Sequence, residues 1–259
     1  MTAIRKTRAP LRVVMILQAR MGSTRLPGKS ILDLAGAPLL GRILERVKRC
    51  TRLHEIVMAT TEKSEDDVLV SLAMDYGVTP FRGSETDLVD RYYQAARHLH
   101  ADFVVRLPAD NATPEPAEID RIVEFHGAST SVFSTNLAEA FANNYPDGIG
   151  AEIVDFWALE EVWQRSTHPR QREHVHLSFF DYATQTPADP ERYPVGTIPC
   201  PPEFARPDLV LDVNTQAQYE FIRALYLYLY PRNPAFHITD IIDWYDTVYR
   251  AGAQRTGTA

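Results

Sequence analysis

Residues 18–29 read QARMGSTRLPGK and follow directly on the apolar run LRVVMIL at 11–17. The run has the β-branched, largely apolar character of a strand covered on both faces. The twelve residues after it change character at once, with two glycines, a Ser-Thr pair, two arginines, a proline and a lysine. In an open α/β sheet, ligands sit beyond the carboxyl ends of strands, where loops lead into helices. Gly22 and Gly28 let backbone N–H groups turn toward an anion, and Ser23 and Thr24 add hydroxyl donors. Arg20, Arg25 and Lys29 bring positive charge, and a guanidinium can grip phosphate through two parallel N–H groups. The stretch therefore predicts a polyphosphate cradle. It is not a Walker loop, because five residues separate Gly22 from Gly28 where that motif has four. A solvated, charged surface turn is the plainer alternative.

Outward from this loop, strand-like runs alternate with amphipathic stretches, the pattern of βα units around a mainly parallel sheet. RVVMIL (12–17), EIVMAT (55–60) and DFVVRL (102–107) read as central strands. LLGRILERVKRC places Leu40, Ile43, Leu44 and Val47 on one helix face, and DDVLVSLAMDYG does the same with Val68, Leu69, Leu72 and Tyr76. ETDLVDRYYQAARHL and PEPAEIDRIVEFHG predict two more helices, the second opened by Pro116. From about residue 131 the rhythm changes. Short strands SVFS and AEIV flank the polar loop NNYPDGIG, and helices are expected at FWALEEVWQRS and RQREHVHLSFFDYA. A strand at DLVLDV and helices at TQAQYEFIRALYLYLY and TDIIDWYDTVYR close the pattern. The expected organisation is a flexible tail at 1–10, one domain over 11–250 with an inserted mixed lobe at about 131–200, and a second tail at 251–259.

The 259 residues suffice for a full core, and the formal charge of −7 argues against a nucleic-acid binder, whose phosphate contacts need a basic face. Cys50 and Cys200 stand far apart with no metal-ligand spacing, which suits a reducing cytoplasm. The first ten residues lack the apolar core of a signal peptide, and LRVVMIL is too short to span a bilayer. A cytoplasmic protein without a membrane partner is the expectation.

The stretch QARMGSTRLPGKSILDLAGAPLLGRILERV resembles the signature of the nucleotidyltransferase family that includes the spore coat polysaccharide protein SpsF and, more distantly, CMP-Kdo synthetase. The likeness continues through GSETDLVDRYYQAA, RLPAD, YPDG, REHV and LDVNT. It implies a GT-A-like, Rossmann-related α/β fold and cytidylyl transfer from CTP to an acceptor, with Mg²⁺ and release of pyrophosphate. Gln18, Ala19, Arg20, Gly22, Ser23, Thr24, Arg25 and Lys29 would then wrap the nucleotide, with Arg25 and Lys29 catalytic. Ala59, Thr60 and Thr61 match the stretch that lines the base pocket, although a strand end before a capped helix reads the same way. Arg82, Gly83, Ser84 and Asp90 match a loop bordering the nucleotide, where Ser84 or Thr86 could equally cap a helix. Asp110 matches the acidic ligand of the catalytic metal.

Two departures stand out. Pro108 to Ala112 lacks the glycine and the proline of the G-D-x-P pattern, and Asn214 replaces the aspartate that ends the last strand in relatives. Asn214 keeps an oxygen for a metal held between it and Asp110 but drops the charge, and Asp212, two residues earlier, would share its face in a regular strand and could compensate as a further metal ligand. On the acceptor side the resemblance points to Tyr145, Asp147, Gly148, Glu152, Arg172, Glu173 and His174, with His176 where threonine is usual. A Pro-Asp-Gly hairpin turn would explain the first of these stretches by itself. The implied reaction is transfer of CMP to a small anionic acceptor such as a sugar acid, in a homodimer. The alternatives are a phosphate- or phosphonate-bearing acceptor giving a CDP-linked product, and a catalytically impaired nucleotide-binding relative.

Overall fold

The computed structural model describes residues 11–137 and 140–251, so both predicted tails lie outside it apart from Ala251, which is helical. One sheet holds seven strands: β1 (Val13–Gln18), β2 (Glu55–Thr61), β3 (Thr79–Gly83), β4 (Phe103–Pro108), β5 (Phe133–Thr135), β6 (Glu152–Asp155) and β7 (Val195–Gly196). Their order is β7-β5-β6-β4-β1-β2-β3. β3, β2, β1 and β4 run parallel, β6 runs against both β4 and β5, and β7 is parallel to β5. The helices are α1 (Leu39–Val47), α2 (Asp67–Asp75), α3 (Leu88–His98), α4 (Pro116–Ala128), α5 (Phe156–Arg165), α6 (Pro169–Glu173), α7 (Gln216–Leu229) and α8 (Ile238–Trp244).

The period of two in β1 divides the core. Val13, Met15 and Leu17 pack with Leu40, Ile43 and Leu44 of α1, Ile119 and Ile122 of α4 and Ile222 of α7. Val14 and Ile16 face the other way, onto Val89 and Tyr92 of α3 and Leu159 of α5. Each such aliphatic side chain taken fully out of water contributes about 1.5–3 kcal/mol, which fixes both the register and the layer order. Gln18 sits opposite Pro108 in the β1–β4 register, so the loops that follow these two strands leave the sheet side by side.

The expected strands and the first helices are present, with differences that have local causes. Val68 is 43% exposed; α2 turns Leu69 and Ala73 inward instead. RQREHVHLSFFDYA is not one helix. Extended backbone at His174 stops α6, a 3₁₀ turn covers Val175–Ser178, and Phe179 and Phe180 drop into the core ahead of a short strand pairing. DLVLDV keeps its alternation, with Leu209, Leu211 and Val213 buried, but it pairs only through the isolated bridges Asp147↔Val210 and Asn111↔Asp212. The final segment passes from α8 into a π-helical turn at Tyr245–Tyr249. β3 went unread, as did a hairpin of Asp33–Leu34 with Ala37–Pro38, turned by Ala35 and Gly36 at φ 53° and 87°. Positive φ at both central residues is what a tight turn of right-handed twist requires.

Candidate active site

The loop after β1 is pinned from several sides. Met21 N–H donates to Asp66 Oδ1 at 2.7 Å, and the Met21 carbonyl accepts from Ser23 N (2.8 Å) and Gly28 N (3.4 Å). Asp66 is buried and also accepts from Thr61 N–H and the Thr61 hydroxyl. Burial opposes its charge, but these donors outweigh it and hold its pKa below the usual carboxylate value. Leu26 is buried and anchors the loop to the core. Gly28 adopts φ 68°, a left-handed conformation that turns the chain so that Lys29 opens a 3₁₀ turn.

Lys29 reaches across to the other strand end. Its Nζ donates to Val213 O at 2.9 Å and Asn214 Oδ1 at 3.3 Å, and lies 3.4 Å from Asp110 Oδ2. Arg25 Nη2 donates to the same Asn214 oxygen at 2.8 Å. The Asn214 amide nitrogen donates to Asp212 Oδ2, and Gln218 Nε2 donates to Asp212 Oδ1 at 3.0 Å. Asp212 has a raised pKa, first from burial and then from the field of Asp110, against the pull of Asn214, Lys29 and Arg25. Asp110 O accepts from Val213 N at 2.8 Å, which locks the two acidic segments together.

Between these groups lies a cavity of about 530 Å³. Gln18, Ala19, Arg20, Ser23, Thr24, Arg25 and Lys29 line it from the β1 loop, together with Asp110, Asn214, Glu173 and His174. Asp212 does not line the cavity and accepts from the Asn214 amide. Ser30, Glu85, Thr86, Leu88, Arg91, Arg106, Pro108 and Ala109 also line it and were not read from the sequence. Two of them carried a signal, since Arg106 is a lone charge inside an apolar strand and Arg91 falls among the apolar positions of α3. Burial pushes the Arg91 guanidinium down from its usual value, and Arg20 adds repulsion. Burial also opposes the charge of Arg106, but its ion pair with buried Glu152 wins and raises its pKa.

Other expected site residues stand outside the cavity. Gly22 is exposed, with Glu65 3.4 Å from where its side chain would begin. Ala59, Thr60 and Thr61 are fully buried in β2, and Ala59 O accepts from Ala19 N. Arg82 pairs with Asp67 and donates to Thr61 O and Lys63 O, bracing the loop after β2. A side chain at Gly83 would meet Arg91 Cγ at 2.9 Å, and Arg91 in turn holds Ser84 O at 2.8 Å. Neither Ser84 nor Thr86 caps α3; Asp87 does, accepting from Asp90 N at 2.8 Å. Asp90 points to Trp163, whose indole N–H donates to it at 2.7 Å.

The acceptor-side residues divide in the same way. Tyr145 is buried and hydrogen-bonded to Glu118, and Glu152 is committed to Arg106 and Tyr182. Asp147 bridges to Val210, and Gly148 at φ 91° backs onto Leu211 so closely that a Cβ there would lie 2.8 Å from its carbonyl carbon. The Tyr-Pro-Asp-Gly stretch is thus a buttress for the segment carrying Asp212 and Asn214. Arg172 is held by Asp87 and by Trp163 O. Among the described residues no cluster of three or more His, Cys, Asp or Glu side chains forms a ready metal cage, and no helix is long and apolar enough to cross a membrane.

A largely parallel sheet whose adjacent strand ends carry a cationic glycine loop and a carboxylate around one cavity suits a nucleotidyltransferase. The chain belongs to the cytidylyltransferase family, whose sequence pattern matches residues 14–226. It is 30% identical over 219 residues to the spore coat polysaccharide biosynthesis protein SpsF of Bacillus subtilis, covering 83% of this chain and 86% of that protein. It resembles the solved cytidylyltransferase of Leptospira borgpetersenii at a TM-score of 0.79 and 29% identity, over 91% of this chain and 94% of that one. CMP:2-keto-3-deoxy-manno-octonic acid synthetase, solved in complex with CTP, matches at a TM-score of 0.61 over 83% of this chain and 98% of that one; at 17% identity this speaks for the fold alone. The chain is an enzyme of the nucleotidyltransferase class, working on CTP.

Proposed function

We propose that the enzyme transfers CMP from CTP to a hydroxyl of a small anionic acceptor, a sugar acid, and releases pyrophosphate. The observation that carries this reading is the meeting of Arg20, Arg25 and Lys29 with Asp110 around one cavity at the ends of β1 and β4. An acceptor oxygen bonds to the α-phosphorus as the bond to the pyrophosphate oxygen breaks. Negative charge grows on the phosphoryl oxygens and the leaving group, where fixed cations and N–H donors act most strongly. Glu173 and His174, exposed and lining the cavity, are groups that can take the hydroxyl proton. Arg91, lining the same cavity, adds positive charge that suits an acidic acceptor, Arg106 being matched by Glu152, and the likeness to SpsF supports one drawn from polysaccharide assembly.

The donor chemistry fits Mg²⁺. Asp110, Asp212 and the Asn214 amide offer hard oxygens, and Mg²⁺ uses one or two carboxylates while phosphate and water fill its other positions. The raised pKa of Asp212 marks a carboxylate whose charge a cation would relieve. When bound, the ion supplies charge neutralisation at the phosphates. This reading takes 11–250 as one domain with its acceptor side built from about 131–200, acting as a cytoplasmic homodimer; exposed Phe141 and Trp157 suit a partner contact, and the free thiols of Cys50 and Cys200 suit a reducing compartment.

The test is pyrophosphate release from CTP and Mg²⁺ over a panel of sugar acids and phosphorylated acceptors. Release with a sugar acid is expected. Release only with phosphorylated acceptors would give a CDP-linked product instead. CTP binding with no release for any acceptor, unchanged in Asn214→Asp, would mark a binding protein.

A further inference from the structure

The Lys29 ammonium occupies a cradle of three oxygens, Val213 O, Asn214 Oδ1 and Asp110 Oδ2, at 2.9, 3.3 and 3.4 Å. Its side chain is only 14% exposed, so the charge is held inside the cradle and not merely beside it. Two of these, Asp110 Oδ2 and Asn214 Oδ1, are among the hard donors to which the proposed function assigns the metal, and the present inference rests on that reading. We propose that Lys29 is an internal counter-cation that closes the metal site to free divalent ions until a triphosphate draws it away, so that metal and CTP enter together.

The charges around the cradle support this. Asp110 and Asp212 are matched by Lys29 and Arg25, and Asn214 links the two pairs, accepting from both cations and donating to Asp212. A divalent ion arriving alone would have to displace an ammonium from its oxygens and sit beside it, with no anion to offset the added charge. A triphosphate changes that balance. It offers Lys29 and Arg25 a polyanion on the cavity side, frees Asp110 and Asn214, and supplies the remaining oxygens that Mg²⁺ prefers. With an amide at 214 the cradle holds one carboxylate, that of Asp110, and lacks a second negative charge that would hold a metal and the ammonium together.

The test uses Mn²⁺ alone on the nucleotide-free protein, followed by electron paramagnetic resonance and by the shift in melting temperature. Wild type should bind no Mn²⁺ tighter than millimolar and show no thermal shift. Lys29→Met, which keeps an unbranched side chain one atom shorter and removes the charge, should bind at least tenfold tighter and gain melting temperature with Mn²⁺. Calorimetry of wild type with CTP and Mg²⁺ together is the companion measurement. Tight Mn²⁺ binding by nucleotide-free wild type, or equal binding by wild type and Lys29→Met, overturns the inference while normal CTP–Mg²⁺ binding leaves the proposed function standing. Failure of CTP to bind wild type with Mg²⁺ removes the proposed function itself. Should Lys29→Met not fold, the wild-type titration alone still decides.

Discussion

Arg172 Nε donates to Asp87 Oδ2 at 2.8 Å, while Asp87 Oδ1 accepts from the first turn of α3 at 2.8 Å. One carboxylate thus caps a helix and ties the segment bearing Glu173 and His174 to the loop bearing Glu85 and Thr86. Two segments that line the cavity are joined through a residue that does not line it.

Arg172→Ala should cost about 1.5–3 kcal/mol of stability, the range for hydrogen bonds to charged groups, and should weaken CTP binding because Glu85 and Thr86 lose their tie. Urea denaturation and calorimetry measure the two effects. Arg172→Lys should recover only part of each, since an ammonium cannot reproduce the forked contact. Equal CTP affinity in wild type and Arg172→Ala would separate the tie from the nucleotide.

Lys29→Ala and Arg25→Ala should each slow turnover by roughly a hundredfold or more, since losing one charge-stabilising donor typically costs about 2.7–4 kcal/mol of barrier. Steady-state pyrophosphate release with an accepted acceptor checks this. Full activity in both variants would exclude the loop from catalysis.

Asp66→Asn should loosen the β1 loop without touching the cavity. An amide cannot accept at once from Met21 N–H, Thr61 N–H and the Thr61 hydroxyl, so about 1.5–3 kcal/mol should be lost and CTP affinity should fall with it. Protection of the Met21 and Thr61 amides from hydrogen exchange should drop in the variant.

His176 has a pKa below its ordinary 6.5, first because of burial and then through repulsion from Arg106 and His174, with Glu152 and Asp181 opposing. Its unfolded form binds the proton more readily than its folded form. Its contribution to stability is therefore complete above the unfolded value and is lost as pH falls below 6.5 through the folded value. Unfolding free energies between pH 7.5 and 5 should decline more steeply for wild type than for His176→Gln. Parallel curves would show that His176 adds nothing to the slope.

Gly148→Ala should harm a site it does not touch. Positive φ and a backbone 2.8 Å from the new methyl would force residues 211–214 outward, costing about 1–3 kcal/mol and moving Asp212 and Asn214 off Asp110. A matching loss of turnover is expected alongside the lower melting temperature.

What the sequence disclosed follows from what is local. The alternation of β1, the helix periodicity of α1, α3, α4 and α7, and the glycine-rich cationic loop are each written in consecutive residues, and each lies where its pattern implies. The cavity lining contributed by Arg91 and Arg106 is not written that way, because it depends on which sheet face a strand residue meets and what packs there. The same holds for Tyr145 and Asp147, whose turn motif suggests an exposed hairpin until the segment 209–213 is laid against it. At Val175–Ser178 an amphipathic pattern misled, since Phe179 and Phe180 gain more from reaching the core than a continuous helix would.

The cradle around Lys29 draws its oxygens from positions 110, 213 and 214, while the lysine itself comes near the start. A ribosome making this protein has long since exposed the cationic turn when the last of those oxygens emerges. Until then Asp110 is the one member of the cradle available to the basic loop, and the cradle is complete only once translation has passed residue 214 and that late segment has docked.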